Sequence, residues 1–381
     1  MPKILVLYKD YGLLQQDEGI NPTNLAMTRG LESNGFDVTN GFLVVKEKII
    51  LESKNIKKNK EQNIYFDFTN KDLKGLKRIL AAYKLYQFLK NSDFEYIITH
   101  RYKPFFMVAL FSNKLITFKK NLKIVSYFHG DVKFSFFRRL FNHYFAKNIK
   151  LVTVSNWAKD KLQGASSAFV KNNVYVLPNS IDKKLVENQI YSKEYSKELF
   201  NIPKDSYVIG TIARLVSSKD PEVLINGFAK FYKNSTNKNT YLVIIGDGYL
   251  KDNLMKYIDK LDCSDNIKLV GAYSNAFKYL KAFDLFCLTS KREACGLVIL
   301  EAMAAGLPII STRAGGIPEF LGKDYDWYIN IGDSDKLTKL FSKMQSLSDE
   351  ELEELKNHLR DRVENRFDYN NYFNKLSKLL K

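Results

Sequence analysis

The chain has 381 residues, 45% hydrophobic and 14% aromatic, so it is too long for one compact core and too apolar for wholesale disorder. Its net charge of +17 is uneven, because residues 101–180 carry 14 Lys and Arg against 2 Asp and Glu. No stretch reaches the roughly 20 apolar residues of a spanning helix, and the sequence therefore predicts a soluble or membrane-peripheral protein.

Short β-branched or aromatic runs alternate with helix-like stretches along nearly the whole chain. The first half predicts strands at 3–8, 36–45, 96–99, 123–128 and 151–154, with helices at 22–33, 73–89, 104–118 and 134–146. The pattern restarts after VYVLPNSID, with strands at 207–212, 241–245, 267–270, 285–288 and 308–311, and helices at 220–232, 250–261, 275–282 and 296–305. Such alternation is typical of parallel sheets with crossover helices. We therefore expect an α/β protein of two Rossmann-like domains, residues 1–180 and 181–363, facing across a cleft that holds the site.

Cations, glycines and carboxylates follow four predicted strands of the second domain, at the ends where doubly wound sheets bind ligands. Arg214 and Lys219 follow the first strand, Gly246 ends LVIIGDG, and Glu293 follows the strand at 285–288. AGG (314–316) follows the strand at 308–311. The convergence of these residues at the ends of four predicted strands predicts a binding site.

The stretch KREACGLVILE carries two carboxylates, Glu293 before a predicted helix start at Gly296 and Glu301 about 7 Å along the helix. Backbone N–H groups at a helix start bind phosphate oxygens, and Arg214 and Lys219 would balance a diphosphate. Carboxylates on either side would repel the phosphate unless they accept hydrogen bonds from hydroxyls. A nucleotide diphosphate sugar offers hydroxyls at both ends, on the ribose and on the hexose.

ARLVSSK, VIIGDG, REACGLVILEAMAAGLPII and AGGIPE, in this order and spacing, closely resemble the donor-binding half of glycosyltransferase family 4. These GT-B enzymes transfer a sugar from a nucleotide donor with retention of configuration. The resemblance implies that Glu293 binds the donor sugar, Glu301 the ribose, and Arg214 and Lys219 the diphosphate. It also implies a final helix, 364–381, that crosses back to the N-terminal domain.

Further site residues are implied by the same resemblance. The donor contacts would be completed by Gly19 in DEGINPTNL, Gly246, Gly271, Cys295, Gly296, Leu297 and Val298. His129, at the end of KIVSYFHGD, would lie beside the reacting sugar as a catalytic residue together with Arg214, Lys219 and Glu293. We assign His100 and Arg101 of IITHRYK to the acceptor. Neither a metal nor another cofactor is expected; DYD (324–326) and DSD (333–335) resemble metal-binding D-x-D only superficially.

The resulting expectation is a retaining transferase of a hexose or N-acetylhexosamine, with UDP favoured over GDP on family frequency alone. Its acceptor would be a lipid-linked or phosphorylated glycan in the assembly of bacterial-type surface polysaccharide or lipopolysaccharide. Two alternatives stay open. A sugar-nucleotide epimerase would need further acid/base carboxylates in the first domain, and a silent binding scaffold is disfavoured because Arg214, Lys219, Glu293 and Glu301 are all present.

Two segments, 103–120 and 134–147, interleave aromatic or apolar residues with Lys and Arg. As helices, they would suit an anionic membrane surface; the alternative is that their aromatics are core. No nucleic-acid motif accompanies the charge, so no nucleic-acid partner is expected. The three cysteines lack metal spacing, and MPKILVLYKD has too short an apolar run for a signal peptide. We therefore expect a cytoplasmic protein, peripheral on the inner face of the plasma membrane.

Overall fold

The computed structural model describes residues 1–10, 22–44, 63–130, 132–170 and 174–381. Gly19, one of the predicted donor contacts, lies outside them. The chain divides into two units, Met1–Pro178 with Asn370–Lys381 and Asn179–Tyr369. This division lies two residues from the boundary that the sequence placed after residue 180.

The first unit contains a parallel sheet whose seven described strands run in the order β3-β2-β1-β4-β5-β6-β7. Its strands are β1 (Lys3–Asp10), β2 (Asp37–Val44), β3 (Asn63–Phe68), β4 (Tyr96–His100), β5 (Lys123–Phe128), β6 (Lys150–Thr153) and β7 (Val174–Val176). Its helices are α1 (Pro22–Ser33), α2 (Lys77–Asn91), α3 (Tyr102–Ala109), α4 (Ser112–Phe118), α5 (Phe136–Phe145) and α6 (Asn156–Ala165), with a 3₁₀ turn at Ser167–Phe169.

The second unit repeats the architecture with six described parallel strands in the order β10-β9-β8-β11-β12-β13. The strands are β8 (Tyr207–Ile212), β9 (Thr240–Ile245), β10 (Ile267–Gly271), β11 (Leu285–Leu288), β12 (Ile309–Thr312) and β13 (Tyr328–Ile329). The helices are α7 (Lys183–Gln189), α8 (Lys193–Leu199), α9 (Pro221–Asn234), α10 (Lys251–Ile258), α11 (Leu297–Ala304), α12 (Ile317–Leu321), α13 (Ser334–Gln345) and α14 (Asp349–Arg366), with 3₁₀ turns at Ser264–Asn266 and Ala276–Ala282.

The central strands of both sheets are buried on their two faces, which explains why they read as continuous apolar runs. Ile4, Leu5, Val6 and Leu7 of β1 are fully buried, and β11 is buried along its whole length. The predicted class, α/β with two parallel sheets, is confirmed.

The predicted helix at 104–118 is two helices, α3 and α4, separated at Leu110 and Phe111. Buried Ser112 donates its hydroxyl hydrogen bond to the carbonyl oxygens of Ala109 at 2.9 Å and Phe145 at 3.1 Å. A side chain that competes for backbone carbonyls in this way favours a break over a continuous helix.

The apolar middle of segment 103–120 belongs to the core. Phe105, Phe106, Met107, Val108 and Leu115 are buried against the sheet. Phe105 and Phe106 therefore cannot make the membrane contact predicted for this segment, because side chains that fill the core cannot enter a lipid surface; Phe118, near its end, is 59% exposed.

The last helix, α15 (Tyr369–Leu380), packs within the first unit. Phe373, Leu376 and Leu380 are buried, and a Cβ on Gly30 would lie 2.3 Å from the Phe373 ring. Lys150 Nζ donates to the carbonyl oxygen of Leu379 at 2.7 Å.

Candidate functional site

The loops after β8 and β9 lie against each other in the second unit. The Leu215 amide donates to the carbonyl oxygen of Asp247 at 2.9 Å. A Cβ on Gly246 would lie 1.9 Å from the carbonyl oxygen of Ala213, and Gly246 has φ 154°. Only glycine permits this approach, so the glycine of the GDG motif fixes the loop that carries Arg214. Gly271 closes the neighbouring strand and accepts a hydrogen bond from the Gly246 amide at 2.8 Å.

The loop after β8 is also fastened to the loop after β11. Thr289 Oγ1 donates to the carbonyl oxygens of Lys219 and Asp220 at 3.2 and 3.0 Å. The side chain of Lys291 forms a 3.0 Å ion pair with buried Asp220, which adopts a left-handed conformation before α9. Neither residue of this pair was predicted as a site residue, although both adjoin the motifs.

Lys219 and Glu293 are direct partners. The Lys219 ammonium contacts Glu293 Oε2 in a partly buried ion pair, and Ser290 Oγ lies 3.5 Å from the same oxygen. Glu293 Oε1 accepts a hydrogen bond from the Gly296 amide at 3.2 Å. Glu293 therefore binds both the cation expected to contact a phosphate, Lys219, and one of the amides expected at the helix start, that of Gly296.

Helix α11 begins as the sequence predicted, after Gly296 in a left-handed conformation with φ 62°. Leu297 and Val298 are its first residues and are half-buried. Their amides are among those that a helix leaves without an intrahelical acceptor. The start of α11 therefore keeps donors beyond the one that Glu293 uses.

Glu301 lies one turn into α11, half-buried among apolar neighbours. Within the described residues, its carboxylate has no hydrogen-bond or ion-pair partner, and burial raises its pKa to about 7. A ligand that donates hydrogen bonds to such a carboxylate stabilises its ionised form.

Arg214 and Cys295 differ in accessibility. Arg214 is exposed and forms no side-chain hydrogen bond or ion pair with the described residues, which leaves its guanidinium open to an anion. Cys295 is buried and hydrogen-bonded to Asn179, and burial raises the pKa of its thiol. Cys295 is therefore a packing residue and not an ionised nucleophile.

In the first unit, the strand ends carry a stack of aromatic rings that was not predicted from the sequence. Neighbouring centroids are 5.6 Å apart between Tyr65 and Phe42, 5.7 Å between Phe42 and Tyr8, and 5.0 Å between Tyr8 and His100. Tyr127 follows His100 at 5.0 Å. The signal was present in the sequence, since each of these strands has an aromatic ring near its carboxyl end.

His100 and His129 are brought together at the end of this stack. His100 Nδ1 lies 2.8 Å from His129 Nε2. His100 is 8% exposed and its Nε2 is buried, so no polar atom of its side chain is free to reach an acceptor. The geometry argues against the direct acceptor contact predicted for His100, whereas His129 and Arg101 are exposed.

Of the aspartates in the D-x-D-like stretches, Asp333 caps α13 by accepting from the Lys336 amide at 2.9 Å. Asp335 pairs with Lys230 at 2.6 Å. Within the described ranges, no three His, Cys, Asp or Glu side chains form a group suited to a metal ion, and none of the described helices is long and apolar enough to cross a membrane.

Two family models match the chain in tandem. The model described as Glycosyltransferase Family 4 matches residues 19–185, and the one described as Glycosyl transferases group 1 matches residues 192–365. The chain belongs to glycosyltransferase family 4. The expected resemblance is thereby confirmed, and the chain is a glycosyltransferase of the GT-B type.

Relatives of this family member include an uncharacterized glycosyltransferase of Methanocaldococcus jannaschii, 29% identical over 80% of this chain and 79% of that protein. The N-acetyl-alpha-D-glucosaminyl L-malate synthase of Bacillus anthracis is 26% identical over 72% of the chain and 71% of that protein. An Escherichia coli UDP-Gal:alpha-D-GlcNAc-diphosphoundecaprenol alpha-1,3-galactosyltransferase is 25% identical over 51% of the chain and 50% of that protein.

A solved structure with the same fold is Anabaena HepE in complex with UDP and glucose. It has a TM-score of 0.73 and 17% identity, and the alignment covers 100% of this chain and 99% of that one. The GT-B fold predicted for the chain is confirmed by this likeness.

Proposed function

We propose that this glycosyltransferase takes a hexose or N-acetylhexosamine from a nucleotide diphosphate sugar and transfers it with retention of configuration. The observation that carries the proposal is the grouping at one sheet edge of an open cation, a cation–carboxylate pair and an unpartnered carboxylate. These are Arg214, Lys219 with Glu293, and Glu301. Each of these groups supplies a contact that such a donor requires.

The donor would bind with its ribose on Glu301 and its diphosphate at Arg214 and the amides of Leu297 and Val298. Vicinal hydroxyls donate to a carboxylate, which favours the ionised form of Glu301. The diphosphate would draw the Lys219 ammonium away from Glu293, and this frees Glu293 to accept hydrogen bonds from the donor sugar. Because Lys219 would exchange one anionic partner for another, the free-energy cost of separating the ion pair is limited.

In the transfer step, the bond from the anomeric carbon to the diphosphate oxygen breaks. A bond from the acceptor oxygen to the same carbon forms on the same face. The acceptor proton passes to an oxygen of the departing diphosphate, whose charge Arg214 and Lys219 stabilise. No metal is required in this scheme. We assign the acceptor to the first unit, with Arg101 as a contact and His129 beside the reacting sugar.

UDP is the nucleotide we favour, supported by the UDP and glucose bound to Anabaena HepE, which shares the fold. The proposed acceptor is a lipid-linked or phosphorylated glycan, as the name of the Escherichia coli relative indicates for that enzyme. The malate named for the Bacillus anthracis relative makes a small anionic acceptor the alternative. We favour the lipid because the first unit combines positive charge with exposed aromatic residues.

Helix α5, within segment 134–147, is the proposed membrane contact. Phe136 and Phe137 are 73% and 78% exposed, beside Arg138 and Arg139. Exposed apolar residues at the start of α2 add to them: Leu76, Ile79, Leu80 and Tyr83. We define the eight exposed apolar residues Leu76, Ile79, Leu80, Tyr83, Phe136, Phe137, Leu140 and Tyr144 as the α2–α5 surface.

Both helices of the α2–α5 surface flank one residue of α3. The Arg78 guanidinium lies 4.1 Å from the centre of the Phe106 ring, and the Phe141 ring lies 4.2 Å from it. We propose that this surface binds anionic lipid on the cytoplasmic face of a plasma membrane, with Phe and Leu entering the interface and the cations on phosphates.

The donor proposal is tested by thermal shift with UDP, GDP and their common sugar conjugates. A ligand that binds only the folded state raises the melting temperature by mass action. We expect a shift with one nucleotide series, greatly reduced in Glu301→Gln. The matched control is Glu350→Gln, an exposed residue of α14, which should respond as the wild type does. Absence of any shift in folded wild-type protein would contradict the donor site.

A further inference from the structure

His100 is held between two rings and aimed at His129. Its ring centre lies 5.0 Å from those of both Tyr8 and Tyr127, nearly parallel to each. Its Nδ1 lies 2.8 Å from His129 Nε2. Its Nε2 is buried and has no hydrogen-bond partner among the described residues. The stacking fixes the plane of the His100 ring, so the geometry of the bond to His129 is fixed as well.

A single hydrogen bond between two neutral imidazoles allows two arrangements of the ring protons. In the first, His100 Nδ1–H donates to His129 Nε2, and the buried Nε2 of His100 is a bare lone pair. In the second, His129 Nε2–H donates to His100 Nδ1, and His100 must carry an unpaired N–H in the interior. An orphaned buried N–H is rarer in proteins than an under-used acceptor, and the first arrangement avoids it.

We propose that His100 is a positioning residue that holds His129 in the tautomer with its proton on Nδ1. His129 then presents an N–H donor, instead of a lone pair, to an oxygen of the ligand bound at this strand end. In a histidine the hydrogen bond at one ring nitrogen decides the role of the other. The part of the inference that concerns the reaction rests on the proposed function; the tautomer itself does not.

The surroundings favour the neutral form of both rings. Burial lowers the pKa of His100 well below its usual value, with further contributions from His129 and Arg101. The pKa of His129 is likewise lowered, by desolvation first and by the Arg101 cation second. No carboxylate of the described residues contributes to either shift, so both shifts favour the neutral imidazoles.

Arg101 gives independent support for a site at this position. It has φ 70° and ψ 172°, a region that glycine tolerates and other residues rarely adopt. Its amide donates to the carbonyl oxygen of Tyr127 at 2.9 Å. Strained backbone persists where the surrounding structure enforces it. Here the strained conformation holds Arg101 between His100 and α3, next to the imidazole pair.

The proton on Nδ1 limits the role that His129 can take in the proposed transfer. A His129 whose accessible nitrogen carries a proton cannot take the acceptor's proton as a general base. It can donate a hydrogen bond to a hydroxyl, phosphate or leaving-group oxygen. This assignment agrees with a departing diphosphate that takes the proton itself.

The test is nitrogen-15 NMR of the histidine rings in the full-length protein, which reads the tautomer from the coupling of each ring nitrogen to the carbon-bound protons. The chain has four histidines, so His129→Gln assigns the relevant signals. We expect His129 of the wild type to be protonated at Nδ1. His100→Phe keeps the stacked ring but removes the donor, and His129 should revert to the Nε2–H form that free histidine prefers. His100→Asn offers an amide donor and should restore the wild-type form.

Activity provides the second readout. We expect His100→Phe to lower kcat about tenfold or more, with partial rescue in His100→Asn and no change in the control His358→Phe, at an exposed position of α14. A wild-type His129 protonated at Nε2 overturns the inference, even if His100→Phe fails to fold. If NMR shows the expected tautomers while neither the wild type nor any variant has transferase activity, that result would contradict the proposed function and leave the positioning role supported. Full activity in His100→Phe, despite the reverted tautomer, would overturn the role in catalysis.

Discussion

At the scale of single residues, Glu301 is a carboxylate in an unfavourable environment, which the proposed ribose contact would relieve. Its helix, LVILEAMA, is otherwise apolar and largely buried. A carboxylate there loses hydration without gaining a partner from the described residues, which is why its pKa rises to about 7. A bound ribose would supply the missing hydrogen bonds, so the destabilisation in the free protein favours occupancy of the site.

The pH dependence of stability follows from this shift. The folded pKa of about 7 lies above the ordinary 4.5, so the folded state binds a proton that the unfolded state has already released. Stability from this group is therefore lost as the pH rises from about 4.5 to 7. Glu301→Gln should leave stability unchanged at pH 4 and raise the free energy of unfolding by about 1–3 kcal/mol at pH 8.

Denaturant unfolding at both pH values measures this difference, with Glu350→Gln as the control that should show none. Nucleotide affinity of the wild type should rise between pH 6 and pH 8, because the ribose favours the ionised carboxylate. An equal stability of wild type and Glu301→Gln at pH 8 would argue against a desolvated, unpartnered carboxylate.

At the scale of elements, the position of Glu293 depends on the turn after β12. A Cβ on Gly315, which has φ 61°, would lie 1.9 Å from the carbonyl oxygen of Glu293. The Gly316 amide donates to the same oxygen at 2.8 Å. The glycines of AGGIPE thus act through the backbone, by allowing two loops to touch and so fixing the Lys219–Glu293 pair.

Gly315→Ala should therefore reduce both stability and donor binding. The clash and the positive φ together should cost about 2 kcal/mol or more in the free energy of unfolding. Gly164→Ala, in α6 with no atom within 4 Å of the added Cβ, should be neutral or stabilising by up to about 1 kcal/mol. Thermal melts and donor titration of the two variants measure the contrast; equal melting temperatures would contradict the close approach.

At the scale of the whole molecule, positive charge is concentrated around the α2–α5 surface. The residues around the α2–α5 surface are strongly basic: Lys71, Lys74, Lys77, Arg78 and Lys84 near α2, and Lys133, Arg138, Arg139 and Lys147 near α5. Asp72 is the one acidic residue within 71–84, and 133–147 has none. Cations grouped around exposed apolar residues suit an anionic lipid surface better than a neutral one.

Vesicle sedimentation tests this arrangement. The wild type should bind vesicles that contain phosphatidylglycerol and bind phosphatidylcholine vesicles weakly. The double variants Phe136→Ser/Phe137→Ser on α5 and Leu76→Ser/Leu80→Ser on α2 should each weaken binding about fivefold or more, because each removes apolar area from the interface. Met255→Ser, an exposed residue of α10, is the control.

If the α5 variant weakens binding and the α2 variant does not, the contact is confined to α5. Equal binding of the wild type to both vesicle types would contradict the role of charge.

The sequence by itself determined the fold class, most strand positions and the donor motifs. Strands buried on both faces leave continuous apolar runs, and glycine, cation and carboxylate positions at strand ends are read directly in chain order. It failed where a segment is short or ambiguous: β3, β7 and β13 were missed, and α3 and α4 were predicted as one helix. Hydrophobicity alone does not distinguish a core helix from one that lies on a membrane, so the sequence left both interpretations open for 103–120, and the structure places Phe105 and Phe106 in the core.

Only the tertiary structure decided which side chains meet. Lys219 and Glu293 are 74 positions apart along the chain, and His100 and His129 are 29 apart. Neither pair has a local signal, because parallel strands bring together residues separated by whole crossover helices. The desolvation of Glu301, the strain at Arg101 and the exposure of α5 are likewise properties of packing. Sequence patterns specify the elements, and the side-chain environment that sets their chemistry arises only when those elements are packed.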